Sequence, residues 1–109
     1  MPLLDWLLSN RLAIVNNNFP IESEESFSIS KKIYNFYNSE EDYEDEVYES
    51  IYNYRLSHAL RFGLRGVDMD DIYIGKNNNI YEISYYNIDS EWCFDFDINS
   101  FYNDLCEFL

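Results

Sequence analysis

The stretch Asp71–Asp97, DIYIGKNNNIYEISYYNIDSEWCFDFD, decides the fold. Upstream of it the apolar residues recur at helical intervals; within it the period drops to two, the mark of a strand whose side chains point alternately to opposite faces. Asp71–Lys76 and Asn79–Tyr86 read as two strands on either side of Asn77, Asn78 and Asn79, residues that tolerate the left-handed backbone of a hairpin turn. Trp92, Phe94 and Phe96 alternate with Cys93, Asp95 and Asp97, which predicts a third strand with one apolar and one acidic face. On this register the three rings should be buried against Tyr48, Ile51, Leu56 or Leu60, with Asp95 and Asp97 in solvent.

Working outward, Ile98–Leu109 places Phe101, Leu105 and Phe108 at helical spacing and predicts a closing helix. Before the sheet, Pro2–Val15 carries Leu4, Leu7, Leu8, Leu12 and Val15 on a helical pattern with a break near Ser9-Asn10. Asn16–Ser26 reads as a loop, and Ser28–Tyr37 as a second helix with Ile29, Ile33, Phe36 and Tyr37 on one side. A third helix is expected from about Glu41 to Leu64, with Tyr48, Ile51, Tyr52, Leu56, Ala59 and Leu60 as its buried stripe. Its acids gather early and Arg55, Arg61 and Arg65 late, which complements the helix dipole at both ends. The order is N-terminal helices, a three-stranded antiparallel meander and a C-terminal helix, an α+β fold. A chain of 109 residues without an internal repeat or long linker reads as a single domain, 1–109.

The charge is the second informative feature. With 21 acidic and 7 basic residues the chain carries a formal −14. Such a field attracts cationic surfaces and repels nucleic acid and anionic membranes. Disordered acidic tails are poor in aromatics, whereas here aromatics make up 19% of the residues and so favour a folded chain. No secretory signal is read at Met1-Pro2-Leu3, where Asp5 interrupts the apolar stretch, and nothing is long enough to span a membrane. Cys93 and Cys106 are then expected to be reduced core thiols, and the protein to be cytoplasmic.

Groups that carry catalysis are sparse. His58 is the single histidine and sits mid-helix, where a structural role is the expectation. None of Gly63, Gly66 and Gly75 belongs to a phosphate-cradling array. Asp68-Met69-Asp70-Asp71 and Asp95-Phe96-Asp97 supply hard oxygen ligands, but neither completes a calcium loop. The expectations are therefore no enzymatic activity, no catalytic residues, no metal and no cofactor. Arg55, Arg61 and Arg65 should pair with acids rather than bind nucleic acid.

What stands out instead is Ser39–Tyr54, SEEDYEDEVYESIYNY, with seven carboxylates, four tyrosines and no Lys or Arg. Acid mixed with aromatic is a surface for a basic partner: the carboxylates steer and pair, and a ring supplies the desolvated anchor. The candidate contact residues are Glu41, Asp42, Tyr43, Glu44, Asp45, Glu46, Tyr48 and Glu49, with Asp95 and Asp97 as a competing patch on the sheet. The chain from Asp68 onward is acidic as well, with ten acids against the single Lys76, so the charge is more than a helix cap.

In these two segments, Glu40–Tyr54 and Glu91-Trp92-Cys93-Phe94-Asp95-Phe96-Asp97, the chain resembles the small acidic immunity proteins that bacteria encode beside nuclease toxins of contact-dependent growth inhibition and colicin systems. The likeness is one of type over the whole chain, and the order of helices and meander departs from the all-helical immunity proteins of DNase colicins. It implies a stoichiometric inhibitor that occludes the active or substrate-binding site of a basic toxin, and the chain is expected to be a monomer or weak dimer. A phage-encoded nucleic-acid mimic, such as an anti-CRISPR or anti-restriction protein, would use the same carboxylates in place of phosphates and is the alternative.

Overall fold

The computed structural model describes residues 2–64 and 66–107. Two short helices, α1 (Pro2–Ser9) and α2 (Arg11–Asn16), lead to α3 (Ile29–Tyr37) and α4 (Asp45–His58). A 3-10 turn at Leu60–Gly63 precedes the strands β1 (Ile72–Asn77), β2 (Ile80–Asn87) and β3 (Ser90–Phe96), and α5 (Ile98–Cys106) follows. The sheet is an antiparallel meander in the order β1-β2-β3, so the architecture is α+β with helices before and after the sheet. Among the described residues no helix is long and apolar enough to cross a membrane.

Local chemistry sets the element boundaries. Asn10 separates α1 from α2 and turns its amide onto the Trp6 carbonyl at 2.9 Å. Ser28 caps α3 by accepting from the Lys31 amide. The β1–β2 turn places Asn78 and Asn79 at φ 52° and 69°, two consecutive left-handed residues whose twist suits a two-residue hairpin. Asn87 closes the β2–β3 turn by accepting from the amides of Asp89 and Ser90.

Helices cover both faces of the sheet. On one face Ile29, Ile33 and Phe36 of α3 join Ile51 and Tyr54 of α4 around Tyr73. On the other, Leu7, Ile14, Ile98 and Tyr102 close over Ile74, with Tyr81 and Phe96 at the margin. Two tyrosine hydroxyls clamp this second layer: buried Tyr102 donates to the Leu7 carbonyl (3.0 Å) and half-buried Tyr81 to that of Val15 (2.6 Å).

Four expectations need correction. The third helix starts at Asp45 and ends at His58, because Ala59 turns extended to form a single antiparallel bridge with Tyr73. The chain then tightens into the 3-10 turn, where a Cβ on Gly63 would come within 2.9 Å of Leu3 and 3.0 Å of Trp6; α1 packs directly on that backbone. The buried stripe of α4 is Ile51, Tyr54 and His58, with Val47 packed beside it, while Tyr48, Tyr52 and Leu56 are exposed. The third correction concerns β3. Asp95 faces solvent as expected, but Phe94 is 63% exposed and Trp92 and Phe96 are only half-buried. Ile51 belongs to the opposite face, and Phe96 packs on Phe101 of α5 with ring centroids 5.3 Å apart. The helical layers centre on β1 and β2 and reach β3 only at Phe96, leaving Phe94 uncovered. Cys93 and Cys106 are likewise free and exposed rather than core thiols.

Candidate functional site

The first acidic surface is built from the loop before α4 and the first turns of that helix. Glu41, Asp42 and Glu44 lie in the loop, where the Glu41 amide donates to Ser39 Oγ, while Asp45, Glu46 and Glu49 lie on α4; all six are exposed. Asp45 and Glu46 sit in the first turn, where the helix dipole favours them. Beneath them is a ring cluster. Phe36 holds Tyr43 at 4.7 Å and Tyr48 at 5.3 Å, and those two rings meet edge-on at 5.9 Å. Tyr43 is therefore half-buried and acts as a brace, whereas Tyr48 keeps 39% of its surface exposed. Sequence reasoning missed Tyr52, which is 52% exposed one turn beyond Tyr48; the i,i+4 spacing of the two tyrosines was the available signal.

The second surface is β3. Asp97 is the N-cap of α5 and accepts from the Ser100 amide at 3.0 Å, so its carboxylate is already engaged. Asp95 is exposed and stands opposite Glu82 across the β2–β3 ladder. On the other face of the strand Trp92 lies 6.1 Å from Tyr85 and 5.6 Å from Phe94, a continuous aromatic row on the open end of the sheet. The structure does not merge the two candidate patches. The first is carried on α4, which packs on β1, and the second on the strand at the far edge.

Several polar groups outside these surfaces are engaged within the fold, although the buried Tyr54 hydroxyl has no partner among the described residues. Arg55 and Arg61 share Asp71 at 3.1 Å each, and Arg55 also donates to the Tyr73 hydroxyl, so two of the three arginines pair with acid as the sequence suggested; Arg65 lies outside the described residues. Among the described residues no cluster of three or more His, Cys, Asp or Glu is placed to hold a metal ion. A cavity of about 390 Å³ opens beside Phe19, Lys32, Lys76 and Asn77. Lys32 closes its floor and donates to Asn77 Oδ1 at 2.8 Å, and burial lowers its pKa. Although Cys93 is exposed, partial desolvation of its thiol and then the neighbouring Glu82 push its pKa up to about 12, which keeps it protonated and a poor nucleophile at neutral pH.

His58 is fully buried and stacks on Tyr54 at 3.8 Å. Its Nδ1 lies 2.7 Å from Ser57 Oγ and 2.9 Å from the Tyr54 carbonyl, and its Nε2 lies 3.2 Å from the Ala13 carbonyl, so the ring ties α4 to α2. Burial lowers its pKa more strongly than the two carbonyls raise it. The unfolded chain therefore takes up this proton first as the pH falls. The stability that neutral His58 contributes is complete above the ordinary value near 6.5 and is lost as the pH drops below it, through the folded-state pKa. Urea unfolding at pH 7.5 and 5.5 should show a larger acid loss for the native chain than for His58→Gln; equal losses would remove His58 from the acid response.

The sequence matches no protein-family model, no curated protein and no solved structure.

Proposed function

We propose that this chain is an immunity-type inhibitor: a cytoplasmic, non-catalytic protein that binds a cognate basic toxin, a nuclease in this reading, and covers its active or substrate-binding surface. The supporting observation is a set of unspent charges. Among the described residues the only side-chain ion pairs are Arg55–Asp71 and Arg61–Asp71, so none of the seven carboxylates from Glu40 to Glu49 has a cationic partner among them, and Tyr48 and Tyr52 of the same segment are exposed. Carboxylates held this close repel one another, and a basic cleft that normally holds phosphate relieves that repulsion on binding. A nucleic-acid mimic would string its carboxylates along an extended face, whereas here they bunch in one loop and the first turns of α4, which favours the inhibitor.

The test is protection of cells from the toxin encoded by the neighbouring gene, together with the association rate of the purified pair. The native chain should protect, with an on-rate at least about tenfold higher at low than at high ionic strength, because screening removes steering. A folded Glu44→Lys/Asp45→Lys/Glu49→Lys variant should lose protection. Full protection by that variant would reduce these acids to a solvated cap, and an on-rate indifferent to salt would remove the electrostatic account.

A further inference from the structure

We propose that β3 is a docking strand that accepts an extended basic segment of the partner by strand addition. The inference rests on the reading above only in taking the partner to be basic. β3 is a seven-residue edge strand, bonded to β2 alone. No backbone hydrogen bond outside that ladder reaches residues 90–96 among the described residues, so the outer row of amides and carbonyls is unpaired. An edge of this length is a template for another chain unless something blunts it.

Two features select the occupant. One face of the strand presents Glu91 and Asp95, and the other presents Trp92 and Phe94, which suits an incoming strand that alternates Lys or Arg with apolar residues. Asp95 is also set directly opposite Glu82, which is 3% exposed and accepts from the Ile29 amide at 3.0 Å. Two carboxylates opposed across a ladder destabilise it, and a cation delivered beside Asp95 relieves the pair.

A second copy of this chain is a poor occupant for the same reason. Antiparallel self-pairing over the whole strand centres on Cys93 and sets Glu91 against Asp95 twice; parallel self-pairing stacks each acid on its own copy. Like charges directly opposite are unfavourable, so β3 repels itself while remaining open to a basic strand.

The probe is a synthetic eight-residue peptide of alternating Lys and Val, compared with the same peptide N-methylated at every internal backbone amide, which keeps charge and side chains but leaves neither edge able to donate to a sheet. Amide hydrogen exchange of the full chain locates the contact. The expected result is slowed exchange across residues 90–96, at least a tenfold weaker affinity for the N-methylated peptide, and at least a tenfold loss with Glu91→Lys/Asp95→Lys, whose two positions are exposed and do not support the core. Failure of the Lys/Val peptide to bind, equal binding of the N-methylated form, or protection confined to residues 40–49 would each overturn the proposal, as would a β3-paired dimer of the free protein in sedimentation. The toxin-protection assay is independent: a β3 that binds the peptide in a chain that does not protect leaves the docking strand standing and removes the immunity reading, and a protective complex with unprotected residues 90–96 does the reverse.

Discussion

Phe36→Ala should cost about 3–5 kcal/mol in urea unfolding, the usual cost of emptying a buried phenylalanine site. Phe36 is 5% exposed on α3, and three tyrosine rings converge on it: Tyr37 at 5.1 Å, Tyr43 at 4.7 Å and Tyr48 at 5.3 Å. Aromatic pairs in such geometry contribute beyond the area they bury, so truncation loses packing on several sides at once. Domains of this size are stable by only about 5–15 kcal/mol, which makes the loss a large share of the total. The same ring underlies the acidic loop, so amides around Tyr43 and Tyr48 should exchange faster in the variant even under conditions where it stays folded. Phe36→Leu, which refills much of the volume, should recover more than half of the stability. A cost below about 1 kcal/mol for the alanine variant would mean that the tyrosines close over the gap and that Phe36 does not hold the loop.

The other large effect is expected at Glu82. Its carboxylate is buried at the start of α3, where one oxygen accepts from the Ile29 amide at 3.0 Å and the other from Asn77 Nδ2 at 2.5 Å. Asn77 in turn donates to the Phe27 carbonyl and accepts from the Lys32 ammonium. The network places a negative charge at a helix N-terminus and links it through one amide to a buried lysine. Glu82→Ala strips the acceptor from two donors and a nearby negative charge from Lys32, and should cost about 3–5 kcal/mol, since each buried donor left unsatisfied costs about 1–3 kcal/mol. Glu82→Gln retains the shape and one acceptor and should cost about 1–3 kcal/mol. Adding Lys32→Met to Glu82→Ala should return part of the loss, because it removes the orphaned ammonium. Equal costs for Ala and Gln, with no recovery in the double variant, would show that the charge at Glu82 is incidental.

The network also explains where pattern reading of this chain stops. Glu82 alternates with Tyr81 and Ile83 along β2, and by period alone an acid in that place belongs in solvent. It is buried because α3 lays its first turn, with unpaired amides, over that point of the sheet. Ser84, fully buried two residues on, accepts from the Ser30 amide at 3.2 Å for the same reason. A strand face that looks polar is thus a floor for a helix terminus, and the helix that creates the demand is more than fifty residues away in sequence.

Features set by a few adjacent residues were open to reading in advance. The hairpin follows from Asn78 and Asn79, which tolerate positive φ, and α3 begins where Ser28 can cap it. The gap between α1 and α2 falls at Asn10, whose amide competes for the helix carbonyls. The position of the acidic residues between Glu41 and Glu49 on an exposed surface was legible too, since so many carboxylates have no affordable place inside. By contrast, the choice of the Ile51, Tyr54 and His58 stripe over Tyr48, Tyr52 and Leu56 needed Tyr73, Phe19 and the Ala13 carbonyl to be in place. The exposure of Phe94 was equally out of reach. Alternation says which side chains share a face, because that is a property of the backbone of one strand; whether the face is covered depends on where separate layers end, and that is settled only when distant segments compete to bury their apolar area against one another.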